Sequence, residues 1–215
     1  MIISRVMTKN PVFIGPDMSI NEVRSLMDKE KIGHLPVLDK NNNMVGLVTR
    51  EDLIKAGPSA ATSLDMYEIS YLLSKMTVKD VMERNVVTVV EDEVVEEAAR
   101  IMADQRIGCL PVMRGKLLVG IITDSDLFRV FVNAFGARHS GVRIICSIRE
   151  KPGQVAKLSQ AIAEREGNIV AFITSEGDDL SMRRVTLKIV GLKKEEVQSM
   201  IRTLPDVVLE DIREK

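Results

Sequence analysis

The chain has 215 residues, with 30 Lys and Arg against 31 Asp and Glu and a formal net charge of −1. That balance argues against nucleic-acid binding, which rests on a basic excess or stripe, and no apolar run approaches a membrane span. A hydrophobic content of 45% and a charged content of 28% allow real cores, in one large or two ordinary domains, under a charged surface.

The start, Met1-Ile2-Ile3-Ser4-Arg5, lacks the charged segment and long apolar run of a secretory signal. Cys109 and Cys146 lie in apolar, strand-like runs and read as small core residues in a reducing compartment. A cytoplasmic protein is expected. Pro11-Val12-Phe13-Ile14 predicts a short strand. Ser19 and Glu22 have capping-box spacing, and Ile20, Val23, Leu26 and Met27 share one helical face after them. Two strands follow, Leu35 to Leu38 and Met44 to Thr49, joined by Asn41-Asn42-Asn43, and a second helix starts at Thr49. Gly57 to Thr62 is a breaker-rich linker, and Leu64, Tyr67, Tyr71 and Leu72 make the stripe of a connecting helix.

The pattern is then written again. Lys31-Ile32-Gly33-His34-Leu35-Pro36-Val37 returns 75 residues on as Arg106-Ile107-Gly108-Cys109-Leu110-Pro111-Val112, and Val6-Met7 returns as Val81-Met82. Val45-Gly46-Leu47-Val48-Thr49-Arg50-Glu51-Asp52-Leu53 returns as Val119-Gly120-Ile121-Ile122-Thr123-Asp124-Ser125-Asp126-Leu127. The helical face recurs as Val95, Ala98, Ile101 and Met102, and a second helix starts again at Thr123. A faithful repeat of this length is one supersecondary unit, β-α-β-β-α, packed against its twin. Matched clefts between the copies are where a ligand would sit.

After residue 141 the pattern changes. Val142 to Arg149 reads as a strand, Lys151-Pro152-Gly153 as a turn, and Gln154 to Glu166 as a helix with Val155, Leu158, Ile162 and Ala163 inward, stopped by Gly167. Strands at 168–174 and 184–190, a helix at 193–203 and a strand at 207–212 complete a βαββαβ order, a ferredoxin-like half.

The doubled Gly-x-Leu-Pro-Val and Val-Gly-h-h-Thr-x-x-Asp-Leu motifs resemble the cystathionine-β-synthase (CBS) domain, two of which form a Bateman module, over residues 1 to about 135. The C-terminal half, with its Pro152-Gly153 turn, resembles an ACT domain, and the combination is similar to bacterial acetoin-utilisation B-type proteins. The expected fold is therefore α/β (α+β): CBS repeats at 1–57 and 77–135 in a pseudo-twofold pair, a linker and connecting helix at 58–76, a short linker at 136–141 and an ACT-like domain at 142–215. The resemblance implies adenine nucleotides (AMP, ADP or ATP) in the clefts, along Gly33, His34 and Pro36 and their counterparts Gly108, Cys109 and Pro111.

The residues themselves point the same way. Thr49 and Thr123 stand at helix starts, where N–H groups favour a phosphate, and Asp52 and Asp126 can accept two hydrogen bonds from a ribose diol. Arg50 can pair with phosphate, whereas Asp124 at the same step of the second copy repels it. Thr-x-x-Asp is equally a capping box. Glu150, Pro152, Gly153 and Gln154 resemble the ACT loop that holds a small amino acid, and they read equally as a plain strand-to-helix turn. His34 reads as a packing residue, His139 falls in the interdomain loop, and no metal-ligand spacing, nucleophile elbow or Cys–His pair is present. The expected function is a non-catalytic regulator with no covalently required cofactor, sensing AMP, ADP or ATP in the clefts and a small metabolite or amino acid at the ACT-like domain, at least a homodimer and relaying its state to a client enzyme. The alternative is an interaction scaffold with empty clefts.

Overall fold

The computed structural model describes residues 1–56, 65, 67, 71, 75–177 and 179–214, and its contacts divide the chain into units Met1–Leu127 and Phe128–Lys215. In chain order the first unit has a 3-10 turn at Ile3–Arg5, then β1 (Thr8–Lys9), α1 (Ile20–Glu30), β2 (His34–Leu38), β3 (Met44–Thr49) and α2 (Arg50–Lys55). It continues with α3 (Val78–Val81), β4 (Val89–Val90), α4 (Val95–Gln105), β5 (Cys109–Arg114), β6 (Leu117–Thr123) and the start of α5 (Asp124–Ala134). The predicted linker and most of the connecting helix lie outside the described residues. Of its stripe, Tyr67 and Tyr71 are exposed.

Local chemistry repeats with the sequence. Ser19 and Glu22 close the capping box of α1, the Glu22 N–H donating to Ser19 Oγ at 3.3 Å and the Ser19 N–H to Glu22 Oε2 at 3.0 Å. α1 buries Ile20, Val23 and Met27, and α4 buries Val95, Ala98 and Met102. Both helices end in a left-handed basic residue, Lys31 (φ 55°) and Arg106 (φ 57°). The β2–β3 and β5–β6 hairpins share a register, His34 opposite Thr49 and Cys109 opposite Thr123, with a bulge at the same step, Val37/Leu38 and Val112/Met113.

The two copies exchange their leading segments. β1 pairs antiparallel with β6, Thr8 opposite Ile121, and Glu83 bridges Leu47 of β3 in the same way. The Ile3 N–H donates to the Glu93 carbonyl at 2.8 Å, and its counterpart, the Val78 N–H, donates to the Met18 carbonyl at 2.9 Å. Val78 and Met82 are thereby buried with Ile20, Met27, Leu35 and Val48, inside the first copy's core. The same exchange accounts for two repeated residue pairs. A Cβ on Gly46 would lie 2.7 Å from Met82 Sδ and 2.9 Å from the Glu83 carbonyl oxygen, and a Cβ on Gly120 would run into Met7 Sδ. Each methionine lies over the other copy's strand glycine. Close approach, not a turn, requires these glycines.

One predicted strand is corrected. Pro11–Ile14 shrinks to a single parallel bridge between Ile14 and Val37, whereas β4 in the second copy pairs with β5 over two residues. Pro11 has no N–H for a ladder, and Pro16 follows within two residues of Ile14.

The second unit contains β7 (Val142–Arg149), α6 (Gln154–Ala163), β8 (Asn168–Glu176), β9 (Met182–Val190), α7 (Lys194–Arg202) and β10 (Val207–Glu214). Its sheet runs β10-β7-β9-β8 with every neighbouring pair antiparallel, the ferredoxin-like order. β7 alternates, burying Val142, Ile144, Cys146 and Ile148 against Leu158, Ile162, Val197 and Met200 of the helices. The inward face of α6 differs from the expected one: Gln154, Leu158, Ala161 and Ile162 are buried, while Val155 and Ala163 are exposed. A stripe at i, i+4, i+7 and i+8 leaves no room for those two. The left-handed stop is Glu166 (φ 61°) rather than Gly167. Gly167 is needed for packing, because a Cβ there would lie 2.7 Å from Leu192 Cδ1 and 2.9 Å from Ile162 Cγ2.

Candidate ligand site between the repeats

The end of β3 turns into α2 through a closed capping box. The Thr49 N–H and hydroxyl both donate to Asp52 Oδ2, at 2.8 and 2.7 Å, and the Asp52 N–H donates to Thr49 Oγ1 at 3.2 Å. The Arg50 N–H donates to the Gly33 carbonyl at 2.9 Å. The second copy repeats the arrangement: the Thr123 N–H and hydroxyl donate to Asp126 Oδ2, both at 2.9 Å, and the Asp124 N–H donates to the Gly108 carbonyl at 3.0 Å. This corrects the expectation of free helix-start N–H groups and a free hydroxyl awaiting a phosphate. The Thr49, Arg50 and Asp52 N–H groups and the Thr49 hydroxyl are thus engaged within the protein, so a phosphate here relies chiefly on side chains.

Side chains from both copies do converge. A cavity of about 450 Å³ is lined by Gly33, His34, Leu47, Thr49, Arg50, Glu51 and Asp52 from the first copy. From the second come Glu83, Asn85, Val86, Val87, Arg106, Ile107, Gly108 and Cys109. Its size falls in the range of small-molecule sites. Of the residues singled out from sequence, Gly33, His34, Thr49, Arg50, Asp52, Gly108 and Cys109 are brought together here. Thr123, Asp126, Pro36 and Pro111 are not among the lining residues. Pro36 and Pro111 are buried within β2 and β5, the Pro36 carbonyl accepting from the Ile14 N–H at 3.0 Å, and Asp126 is 3% exposed. Sequence reasoning missed the 83–87 stretch because the exchange of leading segments delivers it from the other copy, and Arg106 and Ile107, which directly precede Gly108, were read only as part of the repeat. The Val6-Met7/Val81-Met82 match and the paired basic residues Lys31 and Arg106 were the available signals.

The charges around the cavity are partly compensated. Arg50 Nη1 lies 2.7 Å from Asp28 Oδ1, and Nη2 donates to the Ile32 carbonyl at 3.3 Å. Burial pushes His34 below its ordinary range, opposed by the carboxylates of Asp124 and Asp52. Gly108 separates copies here: a Cβ on it would lie 3.3 Å from His34 Nε2 and 3.7 Å from Asp124 Oδ2. Burial, helped by the same two carboxylates, pushes the Cys109 thiol up to about 12, and burial likewise raises Cys146 to about 12. Neither thiol is a nucleophile at neutral pH.

The loop after β7 is engaged in its own fold. Glu150 pairs with Arg183 and its N–H donates to the Ser181 carbonyl at 2.8 Å. Gln154 is buried, with Nε2 donating to Asp206 Oδ2 at 3.2 Å. Pro152 is exposed, and Gly153 adopts φ 86° as the N-cap of α6. Among the described residues no cluster of His, Cys, Asp or Glu could hold a metal ion, and no helix is long and apolar enough to cross a membrane.

The CBS domain family model matches residues 3–59 and again 78–133, more than half of the chain. The chain belongs to the CBS domain family. A Vibrio cholerae protein named for acetoin utilization (AcuB) superposes with a TM-score of 0.54 at 30% identity, over 64% of this chain and 95% of that one. A CBS domain pair in complex with 5′-methylthioadenosine and S-adenosyl-L-methionine gives 0.52 at 29%, over 65% and 98%. A CBS protein, CBSX2, in complex with AMP gives 0.50 at 28%, over 61% and 96%. The chain spans 23–31% of the length of the first curated relatives it matches, among them an L-aspartate semialdehyde sulfurtransferase of Methanocaldococcus jannaschii, 30% identical over 60% of this chain.

Proposed function

We propose that the chain is a non-catalytic regulator that binds an adenosine-containing nucleotide in the cavity between its CBS copies. The observation that carries this reading is the convergence of both copies on one cavity, where Arg50 and Arg106 flank a site also walled by Leu47, Val86, Val87 and Ile107. The guanidiniums suit a phosphate, and the aliphatic side chains suit a base. Asp52 serves both readings of Thr-x-x-Asp. A carboxylate has about four acceptor sites, so the oxygen not engaged by Thr49 is available to a ribose hydroxyl. CBS pairs crystallised with AMP and with S-adenosyl-L-methionine support adenosine as the common part. Gly33, His34, Gly108 and Cys109 place backbone and small side chains beside it, and AMP, ADP and ATP are the candidates for the ligand.

The second unit we read as an ACT-like module that passes the state of the cavity to a second copy of the chain or to a client enzyme. Its Glu150–Gln154 loop, with polar groups engaged by Arg183, Ser181 and Asp206, serves this reading as a turn rather than as an amino-acid site. Regulation of this kind requires that the nucleotide prefer one arrangement of the protein over another. Calorimetric titration of the full chain with AMP, ATP and S-adenosylmethionine tests the first part. Saturable binding without turnover is expected, and the absence of saturable heat with all three would favour the scaffold alternative. Light scattering tests the second, a mass of at least twice the 23.9 kDa chain being expected.

A further inference from the structure

The extended stretch from Glu83 to Thr88 has two working faces, because successive side chains of an extended chain point to opposite sides. Glu83, Asn85 and Val87 line the cavity already described. Arg84, Val86 and Thr88 line another, of about 580 Å³, Val86 being common to both. This second cavity is walled by Met44, Met113, Val89 and Val90, and its polar groups are Arg84, Lys116, Asn43 and Thr88. Among the described residues no carboxylate lines it. Of the neighbouring acids, Glu83 faces the first cavity, Glu91 pairs with Arg114, and Asp80, which feels the Arg84 charge, accepts from the Thr77 N–H and hydroxyl. Arg84 gives one Nη2 hydrogen bond to the Lys79 carbonyl at 2.8 Å, and among the described residues neither it nor Lys116 forms a salt bridge.

The cavity belongs to the asymmetry of the repeats. The second copy closes its hairpin with the short Arg114-Gly115-Lys116 turn, Gly115 supplying φ 60°, where the first copy uses the longer Asn41-Asn42-Asn43. Thr88 stands where the first copy has Phe13. A short turn carrying Lys116 and a small side chain at 88 are thus found on one side only.

We infer that this cavity is a second ligand site, specific for a small organic anion (a phosphate monoester or carboxylate) with an apolar body. Arg84 and Lys116 meet the anionic group, Asn43 and Thr88 supply further donors, and the methionines and valines take the apolar part. Methionine suits such a wall because its unbranched, polarisable side chain adapts to the body it covers. The site is separate from the nucleotide reading, since apart from Val86 it uses none of the same residues.

Phenyl phosphate is the probe, titrated into the full chain while backbone amide shifts are followed, with inorganic phosphate and phenol as its two halves. The expected result is saturable shifts at 84–90 and 115–116, with each half-probe binding more weakly than the whole. Lys116→Ala removes only an exposed turn side chain, so it leaves the fold intact, and about tenfold weaker binding is expected from loss of one charged hydrogen bond. Arg84→Gln should behave alike. Shifts centred on 49–52 and 106–109 would put the anion in the first cavity and overturn the proposal. So would the absence of shifts, or affinity unchanged in Lys116→Ala. Inorganic phosphate binding as tightly as phenyl phosphate would overturn the part assigned to the apolar walls. Carboxylate is distinguished from phosphate by repeating the titration with benzoate.

Discussion

Asp52 and Asp126 hold the same place in the two copies and make the same capping bonds, yet Asp52 lines a cavity while Asp126 is 3% exposed. Beside them Arg50 stands against Asp124, and on the facing strands His34 against Cys109. The capping pattern, the hairpin register and the methionine-over-glycine contacts are common to both copies. The side chains at 50 and 124 and at 34 and 109 are not. Frame-determining residues are therefore duplicated while positions 34 and 50 at the cavity differ from their counterparts, so one cleft can be specialised without loss of the twofold frame.

The largest effect is expected where the frame itself is challenged. A Cβ at Gly46 meets the Glu83 backbone carbonyl at 2.9 Å as well as Met82 Sδ, whereas the contacts found for Gly120 are all with the flexible Met7 side chain. Overpacking costs about 1–3 kcal/mol, so Gly46→Ala should lose about 2 kcal/mol and Gly120→Ala clearly less. Urea midpoints compare them. Equal losses would show that the backbone contact does not distinguish the copies. Pairing Gly120→Ala with Met7→Ala should relieve the clash in the second copy.

These glycines also show what the sequence reveals and what it conceals. The twofold repeat, both hairpins and the βαββαβ order were legible because apolar periodicity, caps and turns are local. Val-Met and Val-Gly were visible as repeated pairs, but not as partners, since the contact joins Met82 to Gly46 across the exchange. Arg106, two residues before Gly108 in the repeated motif, was not singled out as a site residue. For Asp52 and Asp126 a capping box and a ribose-binding carboxylate are the same four letters, and only burial separates the two positions. Val155 was misplaced by one step of a helical face, a distinction that periodicity in a short helix does not make.

Burial gives the next test. Removing the carboxylate of Asp126 leaves the Thr123 N–H and hydroxyl without their acceptor, and a capping loss of about 1–2 kcal/mol is expected for Asp126→Ala, with AMP affinity unchanged. Asp52→Ala should cost about 1 kcal/mol of stability and weaken AMP about tenfold or more, as loss of a charged hydrogen bond does. Denaturation curves and calorimetry on the same pair of variants separate the two roles. Equal weakening of AMP by both would restore the equivalence of the copies, and no weakening by either would leave both carboxylates as caps.

Arg50 sharpens the comparison further. It pairs with Asp28 at 2.7 Å in a half-exposed setting, so a ligand phosphate must compete with that carboxylate. Such a surface pair is worth about 0–1 kcal/mol, too little to hold the guanidinium against a polyphosphate. Arg50→Asp should weaken ATP about fivefold, on the order of 1 kcal/mol, and leave adenosine nearly unchanged. Asp28→Asn should strengthen ATP slightly. Loss of adenosine and ATP in equal measure would indicate that Arg50 shapes the cleft rather than meeting phosphate.

The smallest effect concerns the only titrating group in the neutral range on the paired strand starts. His34 has a folded-state pKa depressed below its ordinary value of 6.5, first by burial, while Asp124 and Asp52 partly offset the shift. Its counterpart Cys109 stays a thiol, being pushed up to about 12. For a histidine held neutral in the fold, the unfolded chain binds the proton first as pH falls, so stability is full above 6.5 and declines below it, until the folded pKa is reached. The window opens at about 6.5, above the normal carboxylate range. Wild-type denaturation midpoints should therefore fall between about pH 7 and 5, and His34→Cys, which installs the second copy's residue, should flatten the decline. Asp124→Asn removes a carboxylate that favours the imidazolium, so it should depress His34 further and extend the decline to lower pH. Midpoint profiles that coincide for wild type and His34→Cys would mean that the imidazole is solvated in the folded chain, and the copies would then differ at this position in shape alone.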